Sequence, residues 1–434
     1  MDSNNNHTNN IAKELKNQVF IITGATGTGK TPISIEIAKR LNGEIINVDS
    51  VQMYKECSIG SNKIKEEEMQ GISHHLVNNV SLEKCAHDKT HQYTVQQFYV
   101  DAHEKCLEIL ARGKLPILVG GSAFYLNTFI DGTNLEIPQP TTLSVQKMDD
   151  LTRVSTDEWD RRYKVLQEKD PEYASKIHRN DLYRLNRAYT IVTESGKTMK
   201  EFKYKNGFMD KVSENNLDVR GIVLYLDRYK LYASLERRCE NLVEAGLLEE
   251  VYSLMDRGIL LDHTVPFRSI GYKEAYDFIN YMKTVDRRDH FFKSALKKSF
   301  LRFLREFKVS TRRYSKHQNT WFRKDETNYE WINSENFLKM DVMVDFIVNN
   351  IMMVPRETFK ENVKREEQIL LKKSQSLAES EIVNNVSNKL QQATPKKSTL
   401  VKKKAEDFNE LYLYKDKAVL EARLAKIEKL LFNK

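Results

Sequence analysis

The chain has 434 residues, 40% hydrophobic and 10% aromatic, enough for two or three domains of about 150 residues with ordinary cores. Charged residues reach 30% and the net charge is +8, a balance that suits a polyanionic partner without requiring one. No apolar run reaches the roughly 18 residues of a membrane span, and the cysteines Cys57, Cys85, Cys106 and Cys239 form no CxxC pair, which argues against a disulfide framework or a zinc site.

Residues 1–16 read as a polar, disordered lead. MDSNNNHTNN has neither the apolar stretch of a signal peptide nor the arginines of a mitochondrial presequence. The cytoplasm is therefore the expected location, with an additional mitochondrial pool left open. An apolar run from Val19 to Ile22 then enters a Gly-rich turn. A helical pattern follows, with Ile33, Ile37 and Leu41 on one face. A second strand, 44–48, ends at Asp49 and Ser50. A helix from about Val95 to Ala111 precedes a third strand, 115–119, which ends at Gly120 and Gly121. A fourth strand is expected at 221–226. Strands alternating with helices predict a parallel sheet covered on both faces.

Residues 17–134 and 216–340 are assigned to this α/β core. Residues 135–215 are charged and helical, and read as an inserted helical domain. Residues 341–434 form a lysine-rich extension, expected to be partly disordered. Its last helix places Leu420, Leu424, Ile427 and Leu431 on one face.

Gly24-Ala25-Thr26-Gly27-Thr28-Gly29-Lys30-Thr31 matches G-x-x-x-x-G-K-[ST], with a strand before it and a helix after it. Such a loop turns successive backbone N–H groups around a phosphate. Lys30 supplies a point charge, and Thr31 can ligate Mg²⁺. The motif predicts binding of a pyrophosphate group and does not specify ATP.

Six later segments occur in order. They are INVDSVQMYKECSIGSNK (46–63), GISHHLVNNV (71–80), RGKLPILVGGSAFYL (112–126), IHRNDLYRLNRAYTIVTESGK (177–197), SIGYKEA (269–275) and TRRYSKHQNTWFR (311–323). Together with the phosphate loop they resemble the tRNA dimethylallyltransferase family over residues 17–325. Three departures are notable. Ser122 stands where the family usually has Thr. Ser234 stands where it has Arg, so one contact is missing or supplied elsewhere, with Arg237 as the candidate. No cysteine follows Cys239 and no histidine follows His317. The sequence thus resembles a eukaryotic-type member without the C-terminal zinc finger, and the lysine-rich tail is one substitute for that finger's hold on tRNA.

The resemblance implies a parallel sheet of P-loop NTPase type. It also implies transfer of a dimethylallyl group from its diphosphate to the exocyclic amine of adenosine 37, next to the tRNA anticodon. That chemistry needs a carboxylate on the amine side and a cationic cradle on the diphosphate side. Asp49, ending a strand beside the phosphate loop, is the expected general base, a role the resemblance also assigns to it. A helix N-cap or a Walker-type Mg²⁺ ligand is the alternative. By resemblance, Thr26 and Arg238 reach the diphosphate and its bridging oxygen. Also by resemblance, Asp49, Ser50, Val51 and Gln52 meet the flipped adenosine, and Ser122 and Tyr125 line the channel where the substrates meet.

By resemblance, Arg184 and Arg187 are the inserted domain's RNA contacts, and their i, i+3 spacing puts them on one helical face. Arg312, Arg313 and Lys316 form a second basic stripe, which alternatively is a solvated helix face. Adjacent His74 and His75 lack a third metal ligand and read as structural or channel-lining. The expected partners are a tRNA anticodon stem-loop and dimethylallyl diphosphate, with Mg²⁺, no membrane, and a monomeric enzyme. An AMP-prenylating relative, a nucleotide kinase and a noncatalytic RNA-binding protein are the other readings. The basic inserted segment disfavours the first. LVGGS, without an acid, disfavours the second. Intact Lys30, Thr31, Asp49 and Arg238 disfavour the third.

Overall fold

A computed structural model describes residues 15, 17–88, 91–132, 156–201, 217–323, 329–363 and 411–432. Its centre is a six-stranded sheet, β1 (Gln18–Gly24), β2 (Gly43–Asn47), β3 (His74–His75), β4 (Leu115–Val119), β5 (Asp218–Tyr225) and β6 (Tyr329–Asn333), in the order β3-β2-β4-β1-β5-β6. Every pairing is parallel. Parallel sheets need both faces covered, and the strands alternate accordingly. Val19, Ile21, Ile46, Val48, Leu118 and Val223 enter one apolar core. Phe20, Ile22, Ile45, Ile117, Val119, Ile222 and Leu224 enter the other.

Four strands were expected and six form. β3 is two polar residues with no periodicity to read, and β6 is a short edge strand following a long helix.

The sheet is flanked by α1 (Lys30–Arg40), α2 (Val95–Ala111), α3 (Ala123–Asp131), α6 (Arg228–Glu244), α7 (Leu247–Asp256), α8 (Tyr272–Lys283) and the 31-residue α9 (Phe292–Phe322). Between α3 and α6 in the chain lie α4 (Thr156–Lys169) and α5 (Leu182–Ser195). These two helices pack through their own small core of Trp159, Leu166, Leu185, Ala188 and Val192. Asp181 caps α5 by accepting from the Arg184 N–H at 3.0 Å. Residues 135–155 and 202–215 of the expected insertion lie outside the described residues.

The boundary expected at 340/341 is displaced. The helix α10 (Met340–Ile347) places Met343, Val344 and Ile347 in the sheet's second core, and Phe359 and Val363 follow them. The buried Arg220 guanidinium on β5 binds the carbonyls of Met352 (3.0 Å) and Val354 (2.8 Å) and fixes this segment to the sheet. Leu15, inside the expected lead, is also buried in that core.

The terminal helix α11 (Lys417–Phe432) docks on its own chain. Leu420, Leu424, Ile427 and Leu431 join the larger core, each contributing about 1.5–3 kcal/mol if fully buried. The lysine-rich stretch before it lies outside the described residues. No helix among the described residues is long and apolar enough to cross a membrane.

Candidate active site

β1 runs directly into the phosphate loop, and Gly24 makes the turn. Its φ is +134°, and a Cβ there would lie 2.2 Å from the Leu224 carbonyl oxygen on β5. Gly29, also left-handed at φ +89°, begins α1. Lys30 donates to the carbonyls of Gly24 (2.9 Å) and Ala25 (2.8 Å). Burial, and then the neighbouring Arg238 charge, bring its ammonium down to about 7, with Asp49 opposing.

Thr26, Gly27, Gly29, Lys30 and Thr31 border a cavity of about 710 Å³. Gly24, Ala25 and Thr28 lie behind this wall, and the Thr28 hydroxyl donates inward to the Ala25 carbonyl at 2.9 Å. Their contribution is to the loop's shape rather than to its inner surface.

Asp49 follows β2. Its Oδ1 accepts from the N–H groups of Val51 (2.9 Å) and Gln52 (3.3 Å), which holds the turn that carries Ser50 to Gln52. No helix begins at Asp49, so the contact is that of a turn and not of a helix N-cap; one carboxylate oxygen makes it, and Oδ2 takes no part in it. Asp49 borders the larger cavity and also a second one of about 340 Å³. Gln52 faces the first, and Ser50 and Val51 face the second.

Arg238 projects from α6 and borders both cavities. Burial lowers its pKa, while Cys239 and Asp49 oppose that shift. The two cavities therefore share a wall of four residues, Thr26, Asp49, Arg238 and Tyr314. A phosphate loop, a carboxylate and a guanidinium meet there.

Gln318 locks this arrangement. Its Oε1 accepts from the Thr26 N–H at 3.0 Å, and its Nε2 donates to the Gly121 carbonyl at 2.8 Å. A Cβ at Gly121 would sit 2.4 Å from that nitrogen, so the paired glycines make room for the lock. Gln318 lies one helical turn beyond Tyr314 in TRRYSKHQNTWFR, the only sequence signal for it. Gln318→Glu places a carboxylate where the Gly121 carbonyl needs a donor, and leaving a buried polar group unpaired costs about 1–3 kcal/mol. We expect a lower melting temperature and a KM for the diphosphate donor raised roughly ten-fold, measured by thermal melts and steady-state kinetics.

Other expected site residues fall elsewhere. Arg312 is ion-paired to the buried Glu236 on α6, so it braces two helices instead of joining a free basic stripe; Arg313 and Lys316 remain exposed. Arg184 is exposed and pairs with Asp181 at 3.3 Å, whereas Arg187 is half-buried and its pKa is lowered by burial. The two do not present one equally exposed face. Arg237 borders neither cavity, and its guanidinium lies 5.3 Å over the Tyr412 ring. Ser122, at the start of α3, and Tyr125, packed on Phe98, border neither cavity.

The two histidines diverge. His74 borders the larger cavity, while His75 bonds Glu44 at 2.6 Å. No group of three or more His, Cys, Asp or Glu residues placed to hold a metal occurs among the described residues.

Comparison with known proteins gives a consistent answer. The family model described as IPP transferase matches residues 52–325. The chain is 32% identical over 344 residues to the tRNA dimethylallyltransferase of Oceanobacillus iheyensis, covering 79% of this chain and 99% of that protein. It is 30% identical over 354 residues to tRNA dimethylallyltransferase 9 of Arabidopsis thaliana, covering 75% and 73%. A crystal structure of a eukaryotic dimethylallyltransferase acting on tRNA superposes with a TM-score of 0.58 at 25% identity, over 81% of this chain and 85% of that one. With more than half its length matched by the family model and its fold shared with such an enzyme, the chain belongs to the IPP transferase family.

Proposed function

We propose that this protein transfers a dimethylallyl group from dimethylallyl diphosphate to the exocyclic amine of an adenosine in tRNA, at position 37 beside the anticodon. The observation that carries the reading is the shared wall. One cavity is floored by the phosphate loop, the other opens on Ser50 and Val51, and Thr26, Asp49 and Arg238 stand between them. Two substrates entering from the two cavities would meet at those residues.

In the reaction the amine nitrogen bonds to the allylic carbon, and the carbon–oxygen bond to the diphosphate breaks. The electron pair leaves with the diphosphate, and the amine proton goes to Asp49. Oδ1 is held by two backbone N–H groups, which fixes the carboxylate while Oδ2 takes the proton. The Arg238 guanidinium and the Thr26 side of the phosphate loop face the growing negative charge on the bridging oxygen. Mg²⁺ fits this site without an acidic cluster, because it usually takes few protein oxygens and several from substrate phosphates. Thr31, exposed on the larger cavity, would hold it, and the ion would neutralise diphosphate charge.

The unit formed by α4 and α5 brings Arg184 to the surface and is proposed to hold the anticodon stem, with Arg313 and Lys316 on α9 as further phosphate contacts. The protein is proposed to act as a monomer. The test offers purified protein, Mg²⁺ and labelled dimethylallyl diphosphate to unmodified tRNA or to AMP. Label is expected in tRNA alone. Label in AMP assigns a free-nucleotide acceptor, and label in neither removes the reading.

A further inference from the structure

The C-terminal segment 411–432 lies beyond the residues matched by the family model, yet it is built into the catalytic core. Glu240 on α6 is fully buried. Its carboxylate accepts from the Lys308 ammonium at 2.6 Å and from three successive backbone N–H groups, those of Tyr412 (3.0 Å), Leu413 (2.5 Å) and Tyr414 (3.3 Å). Three consecutive amides converging on one carboxylate form a nest. The Tyr412 ring is covered by the Arg237 guanidinium at 5.3 Å and the Lys308 ammonium at 5.6 Å. Arg237 and Glu240 flank Arg238 on α6, so the segment grips the helix beside the residue that faces the diphosphate.

A second grip lies on α7. The buried Arg423 binds Glu249 through two nitrogens, both at 2.8 Å. The next residue, Glu250, accepts from the N–H groups of Ser58 (2.9 Å), Ile59 (2.7 Å) and Gly60 (3.0 Å), and from the Tyr272 hydroxyl at 2.7 Å. The loop so held receives the Gln52 amide at the Ser61 carbonyl, 3.2 Å away, and Asp49 caps the turn containing Gln52.

We infer that segment 411–432 is an intrachain brace that positions the two halves of the reaction site separately. Residues 412–414 set Arg238 through their amides on Glu240 and through the Tyr412 ring packed against Arg237 and Lys308, and Arg423 sets the Asp49 turn through α7. Tyr412 and Arg423 are positioning residues: neither borders either cavity. The inference rests on the proposed transfer reaction for its catalytic consequence and on geometry alone for its effect on anion binding.

Two full-length variants separate the grips. Tyr412→Ala is expected to weaken inorganic pyrophosphate binding, measured by calorimetry, roughly ten-fold, because small misplacements of a binding group carry large penalties. Arg423→Met keeps the site apolar and leaves Glu249 partly solvated; it is expected to lower kcat for tRNA roughly ten-fold with pyrophosphate affinity unchanged. Arg423→Lys should recover part of that loss. If Arg423→Met does not fold, Glu249→Gln reports on the same grip from the solvated side. Folded variants with wild-type kcat and wild-type pyrophosphate affinity would overturn the brace, as would Arg423→Met and Arg423→Lys behaving alike. A wild-type protein that transfers nothing to tRNA removes the proposed function, while the pyrophosphate affinity of Tyr412→Ala still decides the grip on Arg238.

Discussion

Asp49→Asn should lose transfer activity by about 10²–10⁴-fold while folding normally and binding diphosphate. The choice of asparagine matters. Its side-chain oxygen can still accept from Val51 and Gln52, so the turn that Asp49 caps survives. What disappears is the capacity to take a proton. If Asp49 served only as a cap, Asn would be nearly silent, since Asn and Asp are comparable in that role. Asp49→Ala should lose the same catalytic factor and about 1 kcal/mol of stability in addition, the usual net worth of such a hydrogen bond. Single-turnover transfer to tRNA, read beside thermal melts, tests both statements. An Asn variant with near wild-type turnover would exclude Asp49 as the base.

Much of this site was legible because its parts are local in sequence. The phosphate loop is one continuous octapeptide whose glycines, lysine and threonine each have a reason to be there. Asp49 ends a strand, and a parallel sheet brings the carboxyl ends of its strands to the edge where the phosphate loop lies. The apolar face of α11 could be read to the residue: Leu420, Leu424, Ile427 and Leu431 are all buried. The unread features are pairings over long separations. Gln318 reaches Thr26 across 292 positions. Arg312 looked like a free cation because nothing near it in sequence announces Glu236. The same limit applied to α11, whose face would look identical against a partner protein or its own chain; only Glu240 and Glu249, remote in sequence, decide it. Arg184 and Arg187 show a related limit. The i, i+3 spacing puts them near one another but does not say how deeply the neighbouring core covers each.

Arg238→Ala should lower kcat by roughly 10²–10³-fold, the usual loss when one donor to a developing anion is removed. Arg238→Lys should recover little of it. The guanidinium is held in a desolvated position and resists deprotonation even so, whereas a lysine there would be discharged by the same burial. It would also stand near Lys30, whose ammonium the Arg238 charge already pushes down. An ammonium, moreover, cannot offer two parallel N–H groups to one diphosphate. The tRNA KM should change little in either variant, because Arg238 acts on the leaving group rather than on the nucleic acid. The decisive comparison is kcat for Arg238→Lys. Recovery to within a few-fold of wild type would mean that a point charge suffices on the diphosphate side, and that the fork geometry, and with it the need to hold α6 so firmly at Glu240, plays no part in the chemistry.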